Sequence, residues 1–233
     1  MKESAVDFKP KKYKAVIFDL DGTLLNTLDD IAESMNTALS EFGFPPHKLD
    51  EYRYMVGNGL KPLVERAVPP SQRTPTVLSQ VEQRLRAIYQ SRWDRKTRLY
   101  PGIAELLDKL SQARMSLNIL SNKPHEYTVV VVEKFLSQWT FEIVLGQKED
   151  IPKKPAPDGA LLIARQLGLS PGAIIYLGDT PVDMETARLA GMLPLGVSWG
   201  FRPPPELQQA GAKAILHQPL ELLDFLSLPL DKN

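Results

Sequence analysis

The hydrophobic pattern changes period along the chain. Ala15-Val16-Ile17-Phe18 is an unbroken apolar run, followed at once by Asp19-Leu20-Asp21-Gly22-Thr23. A short continuous run of this kind predicts a strand buried on both faces. Beyond Thr27 the period becomes helical: Leu28, Ile31, Met35, Leu39 and Phe42 fall on one stripe, and Gly43 supplies a stop. Thr27 and Asp30, three residues apart, predict a capping box at the start of that helix. Helical patterns then continue to residue 97 without a convincing strand. Leu60–Val68 is short, and Val81–Trp93 is longer with Leu85, Ile88 and Tyr89 toward a core. Pro45-Pro46 and Val68-Pro69-Pro70 break the stretch between them.

After Tyr100-Pro101-Gly102 strands and helices alternate. Helices are predicted over Ile103–Leu110, Glu126–Leu136, Asp158–Leu167, Val182–Ala190 and Leu220–Leu226. Strands are predicted over Ser116–Leu120, Phe141–Leu145, Ala173–Leu177 and Leu193–Val197. Pro203-Pro204-Pro205 opens a turn and helix. Alternation of this kind implies a Rossmann-like α/β fold, a parallel sheet with helices on both faces. The run at 15–18 belongs to the same sheet, so the helices of 28–97 are an insertion after its first strand. The expected organisation is a discontinuous core over 13–27 and 98–227, a small all-helical cap over 28–97, and a flexible tail over 1–12. The chain crosses between core and cap twice, near 25–28 and 95–100.

Composition narrows the classes. The 233 residues include 28 basic and 28 acidic side chains, three histidines and no cysteine. Zero net charge argues against a nucleic-acid binder. The missing cysteines exclude disulfides, thiolate metal sites and a thiol nucleophile. No apolar run approaches the roughly 18 residues of a membrane span. The polar, lysine-bearing start lacks the apolar core of a signal peptide. The expectation is a cytoplasmic protein, monomeric or weakly dimeric, with no membrane or nucleic-acid partner.

Ligands of open parallel sheets bind beyond the carboxyl ends of the strands. The predicted strands deliver Asp19 and Asp21, then Ser121, Asn122 and Lys123, then Asp179 and Asp183 to that edge, with Lys153 and Lys154 in a loop nearby. Oxygen donors without His or Cys suit Mg²⁺. Ser121 and the amides after it, at a helix start opened by Pro124, suit an anion. Asp19 could then attack phosphorus while Asp21, two residues on along an extended chain, serves as acid and base. Mg²⁺ and Lys154 would offset the negative charge of both partners.

Asp19-Leu20-Asp21-Gly22-Thr23 resembles the first motif of the haloacid dehalogenase superfamily of phosphohydrolases. Ser121-Asn122-Lys123 resembles its second, Lys154 in Lys-Pro-Ala-Pro-Asp its third, and Gly178-Asp179-Thr180-Pro181-Val182-Asp183 its fourth. The order and strand context agree over 13–200. Val56-Gly57-Asn58-Gly59-Leu60 with Leu63-Val64-Glu65-Arg66-Ala67, and later Val197-Ser198-Trp199-Gly200, are similar to phosphoglycolate phosphatases. The resemblance implies Asp19 as nucleophile and Mg²⁺ ligand, and Asp21 as acid/base with its backbone carbonyl on the metal. Asp179 and Asp183 would be further ligands, Asp183 directly or through water. Ser121, Asn122 and Lys154 would bind the phosphoryl group, with Gly22 and Thr23 from the first motif. Asn58, Gly59 and Arg66 would read the rest of a small phosphorylated metabolite, 2-phosphoglycolate first. A sugar phosphomutase, a pyrophosphatase and a non-catalytic phosphate-binding protein are the alternatives. An acid at position 21 argues against dehalogenation.

Several residues also have plainer readings. Thr180 and Asp183 could form a helix cap, Gly57-Asn58-Gly59 an ordinary turn, and Arg66 a surface charge. His125 could line the pocket or merely cap. Lys123 and Lys153 are expected in solvent rather than in the site.

Overall fold

The computed structural model describes residues 13–226. The strands are β1 (Ala15–Phe18), β2 (Leu25–Asn26), β3 (Arg98–Leu99), β4 (Ser116–Pro124), β5 (Ile143–Gln147), β6 (Ile174–Gly178), β7 (Leu193–Val197) and β8 (Ala214–Leu216). The helices are α1 (Leu28–Glu41), α2 (Leu49–Met55), α3 (Leu60–Ala67), α4 (Pro75–Gln90), α5 (Ile103–Gln112), α6 (His125–Phe135), α7 (Asp158–Gln166), α8 (Pro181–Ala190), α9 (Pro204–Gln209) and α10 (Leu222–Leu226). Six strands form one parallel sheet in the order β5-β4-β1-β6-β7-β8.

The unbroken apolar run of β1 is explained by helices on both sides of the sheet. Val16 and Phe18 pack with Ile103, Leu106 and Leu110 of α5 and Leu222 of α10. Ala15 and Ile17 pack on the opposite face with Ala160 and Ile163 of α7 and Ala187 of α8. Alternate strand residues thus enter different apolar clusters, as the period-two geometry of a strand requires. The chain winds outward from β1 through β4 to β5, then restarts on the other side with β6. The direction of winding therefore reverses at β1, where such sheets open a crevice.

Helices α1 to α4 close over their own apolar cluster, which includes Met35, Leu39, Tyr52, Val64, Val81 and Leu85. The chain leaves the sheet through β2 and returns through β3. These two crossings pair antiparallel, Leu25 with Leu99 and Asn26 with Arg98.

Some local expectations are corrected. Thr27 makes no side-chain cap bond to α1. Its partner in the expected box, Asp30, turns instead to the returning segment, accepting from the backbone N–H of Lys96 and of Thr97 and from the Thr97 hydroxyl. Two acceptors there satisfy three donors that the helix terminus does not supply. Helix α4 begins at Pro75 rather than at Val81, because Thr74 accepts the N–H of Val77 and Pro75 occupies the first turn. Strand β4 runs through Ser121-Asn122-Lys123 rather than ending at Leu120, with a register irregularity before Pro124. Helix α2 and strand β8 are additional elements. The expected tail over 1–12 and the last expected core residue, 227, lie outside the described residues. None of the described helices is long and apolar enough to cross a membrane.

Candidate active site

Four segments meet at the carboxyl edge of the sheet where β1 lies between β4 and β6. Asp19 follows β1, and its N–H continues the ladder by donating to Leu177 O at 2.9 Å. The chain then folds into a tight turn in which Leu24 and Leu25 N–H both donate to Leu20 O. Gly22 allows that turn: its φ is +97°, and a Cβ there would lie 2.2 Å from Asp179 Oδ2. At the end of β6, Gly178 likewise leaves room for Asp183, whose Cβ would be 2.3 Å from an added methyl.

Asp19, Asp179 and Asp183 are buried, and each offers a carboxylate oxygen within 4.8 Å of the others. One ammonium enters the cluster. Lys154 Nζ donates to Asp19 Oδ1 and Asp183 Oδ1, each at 2.7 Å, and to Leu120 O at 3.1 Å. Asp183 Oδ2 accepts from the Thr180 N–H at 3.0 Å and its hydroxyl at 2.6 Å. The helix-cap and site readings of Asp183 therefore coexist. Asp179 accepts from the Thr23 hydroxyl at 2.9 Å and the Phe201 N–H at 2.8 Å. Thr23 is thus a support for Asp179.

The electrostatics follow from burial. Desolvation raises the Asp19 carboxyl to about 7, Lys154 pulling it down and Asp183 and Asp21 pushing it up. Burial, reinforced by Asp19 and Asp183, holds Asp179 well above the usual carboxylate range. Burial works against the Lys154 charge, but Asp183 and Asp19 more than offset it and raise its pKa. Three buried carboxyls with one buried ammonium lack positive charge, and their all-oxygen donor set fits a hard divalent cation.

Asp21 lies outside this cluster. Both of its carboxylate oxygens accept from Lys123 Nζ at 3.0 Å. This corrects the expected solvent position of Lys123: the residue is 8% exposed, because the longer β4 carries its side chain across the mouth of the sheet to Asp21. Asn122 joins two segments to β4. Its Nδ2 donates to Gly57 O and Lys154 O at 3.0 Å, and its Oδ1 accepts the Lys154 N–H at 2.9 Å. The Ser121 hydroxyl accepts the Lys123 N–H.

Asp19, Asp21, Ser121, Asn122 and Lys123 line one cavity of about 70 Å³ with Gly57 and Gly59 from the inserted helices. Its far wall is aliphatic, with Ile31, Val56, Leu60, Leu63 and Leu85, and carries Tyr89 and Tyr127 at one side. Asn58 and Arg66 are not among its lining residues. Arg66 instead holds the 57–59 loop, donating to Tyr54 O, Met55 O and Asn58 Oδ1. Lys153 is exposed and donates to Asn58 O at 3.1 Å. His125 accepts the Gly146 N–H through Nδ1, at the start of α6.

Sequence reasoning did not single out Tyr89 or Phe201 for the site. Tyr89 lies on the core stripe of its helix, and nothing in that periodicity separates a cavity wall from a core. Phe201 acts through its backbone N–H, which leaves no trace in residue type.

Residues 16–197 match the family described as haloacid dehalogenase-like hydrolase. The chain is 31% identical over 196 residues to the phosphoglycolate phosphatase of Haemophilus influenzae (strain 86-028NP), covering 82% of this chain and 88% of that protein. It is 30% identical over 223 residues to the N-acetylmuramic acid 6-phosphate phosphatase of Pseudomonas aeruginosa, covering 95% and 98%. Among solved structures, a protein of Lactobacillus delbrueckii subsp. bulgaricus described as a candidate phosphoglycolate phosphatase superposes with a TM-score of 0.87. It is 32% identical, with 92% of this chain and 99% of that one covered.

Proposed function

Because the chain belongs to the haloacid dehalogenase-like hydrolase family, we propose that it is a Mg²⁺-dependent phosphatase of a small phosphomonoester, with 2-phosphoglycolate as substrate and a phosphoryl-Asp19 intermediate. The observation that carries this reading is the buried cluster of Asp19, Asp179 and Asp183 around the single ammonium of Lys154. It sits where the winding of the sheet reverses. The name of the Haemophilus influenzae relative supports 2-phosphoglycolate, and that of the Pseudomonas aeruginosa relative supports a phosphomonoester more broadly.

Asp19, Asp179 and Asp183 would hold Mg²⁺, with the Asp21 backbone carbonyl as a further ligand. A bound Mg²⁺ supplies the positive charge that keeps Asp19 ionised and screens the incoming phosphoryl oxygens. Ser121, Asn122 and Lys154, with the turn at Gly22, orient the phosphoryl group. An Asp19 oxygen bonds to phosphorus as the ester P–O bond breaks, and Asp21, protonated from solvent before the step, gives that proton to the departing alkoxide. Asp21, now ionised, takes a proton from water as the water oxygen attacks phosphorus. The Asp19–phosphorus bond breaks, and phosphate leaves with Asp19 restored. Residues 28–97 act as a cap over a core of 13–27 and 98–227, excluding bulk water from these steps. The aliphatic far wall, with no second set of basic side chains lining the cavity, supports hydrolysis over mutase chemistry, which would have to hold a second phosphate.

The experiment is a panel of phosphomonoesters with and without Mg²⁺, on the wild type and on Asp19→Asn. The expected result is Mg²⁺-dependent release of phosphate from 2-phosphoglycolate, reduced about 10⁴-fold or more in Asp19→Asn. Turnover that persists in Asp19→Asn removes the nucleophile from this scheme. No turnover of any ester removes the phosphatase reading.

A further inference from the structure

The inserted helices bring to the cavity one polar group that the phosphoryl chemistry does not use. Tyr89 stands in the last turn of α4 and lines the cavity beside Lys123, whose Nζ is 5.1 Å from the ring centroid. The residue is 5% exposed, Lys123 is the polar neighbour of its hydroxyl, and among the described residues nothing accepts the hydroxyl proton. An edge-on contact with Tyr127, with centroids 5.7 Å apart, packs against the ring. Buried hydroxyls are nearly always satisfied, so an orphan at the wall of a cavity marks a place where a partner arrives with the ligand. The aliphatic side chains of the far wall cannot supply one. Burial also pushes the phenol up, so at neutral pH the hydroxyl stays protonated and able to donate. The adjacent ammonium of Lys123, already donating to Asp21, has no lone pair with which to accept the phenol proton, so this side of the cavity favours a ligand acceptor.

We propose that Tyr89 is a specificity-determining residue: its hydroxyl donates to an oxygen on the non-phosphate part of the substrate. The ligand class that follows is a short phosphomonoester with a carboxylate or carbonyl oxygen a bond or two from the ester, and otherwise aliphatic surface. This rests on the phosphatase reading for which end of the substrate faces Asp19.

Tyr89→Phe removes the hydroxyl and keeps the ring. Two esters of similar size separate the role from a structural one: 2-phosphoglycolate carries the acceptor, and ethyl phosphate lacks it. In the variant, KM for 2-phosphoglycolate is expected to rise about tenfold or more, with kcat within about twofold and KM for ethyl phosphate unchanged. Calorimetric affinities for both esters in chelator should show the same selective loss. An unchanged affinity for 2-phosphoglycolate, or an equal loss for both esters, overturns the proposal. A wild type that cleaves p-nitrophenyl phosphate with Mg²⁺ but neither binds nor cleaves 2-phosphoglycolate also overturns it, while leaving the phosphatase reading in place. Selective loss of affinity in a chain that cleaves no ester supports the role of Tyr89 and removes hydrolysis instead.

Discussion

Asp19 is held in a state that its own burial opposes. Its carboxyl titrates near 7 in the folded chain against an ordinary 3.8, first because it is desolvated and then because Asp183 and Asp21 repel it. A folded-state pKa above the unfolded one means that the protonated form favours folding. That contribution is complete below 3.8 and is lost as pH rises through about 7. A divalent cation among Asp19, Asp179 and Asp183 needs the ionised form and repays what ionisation removes. The rise in Tm on adding Mg²⁺ should therefore be small at about pH 5 and large at about pH 8. Scanning calorimetry at the two pH values measures it, and an equal rise at both would detach the cation from the Asp19 carboxyl. Lys123 shows where residue type alone misleads. A lysine directly after Ser121-Asn122 carries no signature of burial. Its position depends on how far β4 extends, and the bidentate pair with Asp21 emerges only once the strand is in place.

At the scale of elements, the parts of the sheet near its centre were legible because burial on both faces writes a continuous apolar run, as in β1 and β6. The motif residues Asp19, Ser121 and Asp179 could be placed at one edge because a parallel sheet puts all strand ends of one sense together. Shorter elements left weaker signals. Strand β8 has three residues at the sheet margin, and α2 has seven with Tyr52 as its one buried side chain. The hinge illustrates a deeper limit. Thr27 and Asp30 have the spacing of a cap, but Asp30 finds better-supplied donors 66 and 67 residues away, in Lys96 and Thr97. Local spacing cannot register a competitor so distant in sequence. Asp30 fastens α1 to the segment entering β3, just beside the β2–β3 pairing. Asp30→Ala leaves the buried Thr97 N–H, and the partly buried Lys96 N–H beside it, without their acceptor. It should destabilise the chain by about 1–3 kcal/mol in urea titrations. Amide exchange at 96–99 should accelerate as well. An unchanged midpoint with protected amides would show that the pairing of Leu25 and Leu99 holds the crossing unaided.

The whole molecule depends on contacts that tie the inserted helices to the sheet edge. Asn122 reaches Gly57 O, Arg53 Nη1 donates to Gly200 O at 2.8 Å, and Lys153 reaches Asn58 O. Phe201 links the sheet edge to the α1 to α4 cluster in one residue. Its backbone N–H donates to Asp179, and its side chain, 3% exposed, belongs to the apolar cluster of α1 to α4. The segment that supports an acidic side chain of the site is thereby anchored in the core of the insertion. Phe201→Ala keeps the backbone donor and removes the anchor. Loss of a buried aromatic ring costs about 3–5 kcal/mol where the site cannot collapse. Here the ring lies in the α1 to α4 cluster while the backbone of the same residue serves the sheet edge, so the loss should fall on the contacts that join the two. Amide exchange is expected to rise across α2 and α3 while β1 and β6 stay protected, and the affinity for Mg²⁺ should fall as the segment carrying residue 201 loses its seat. Uniform acceleration through the sheet would mean that Phe201 stabilises the core itself. Exchange confined to residues 199–203 would mean that the insertion is held by its polar contacts alone.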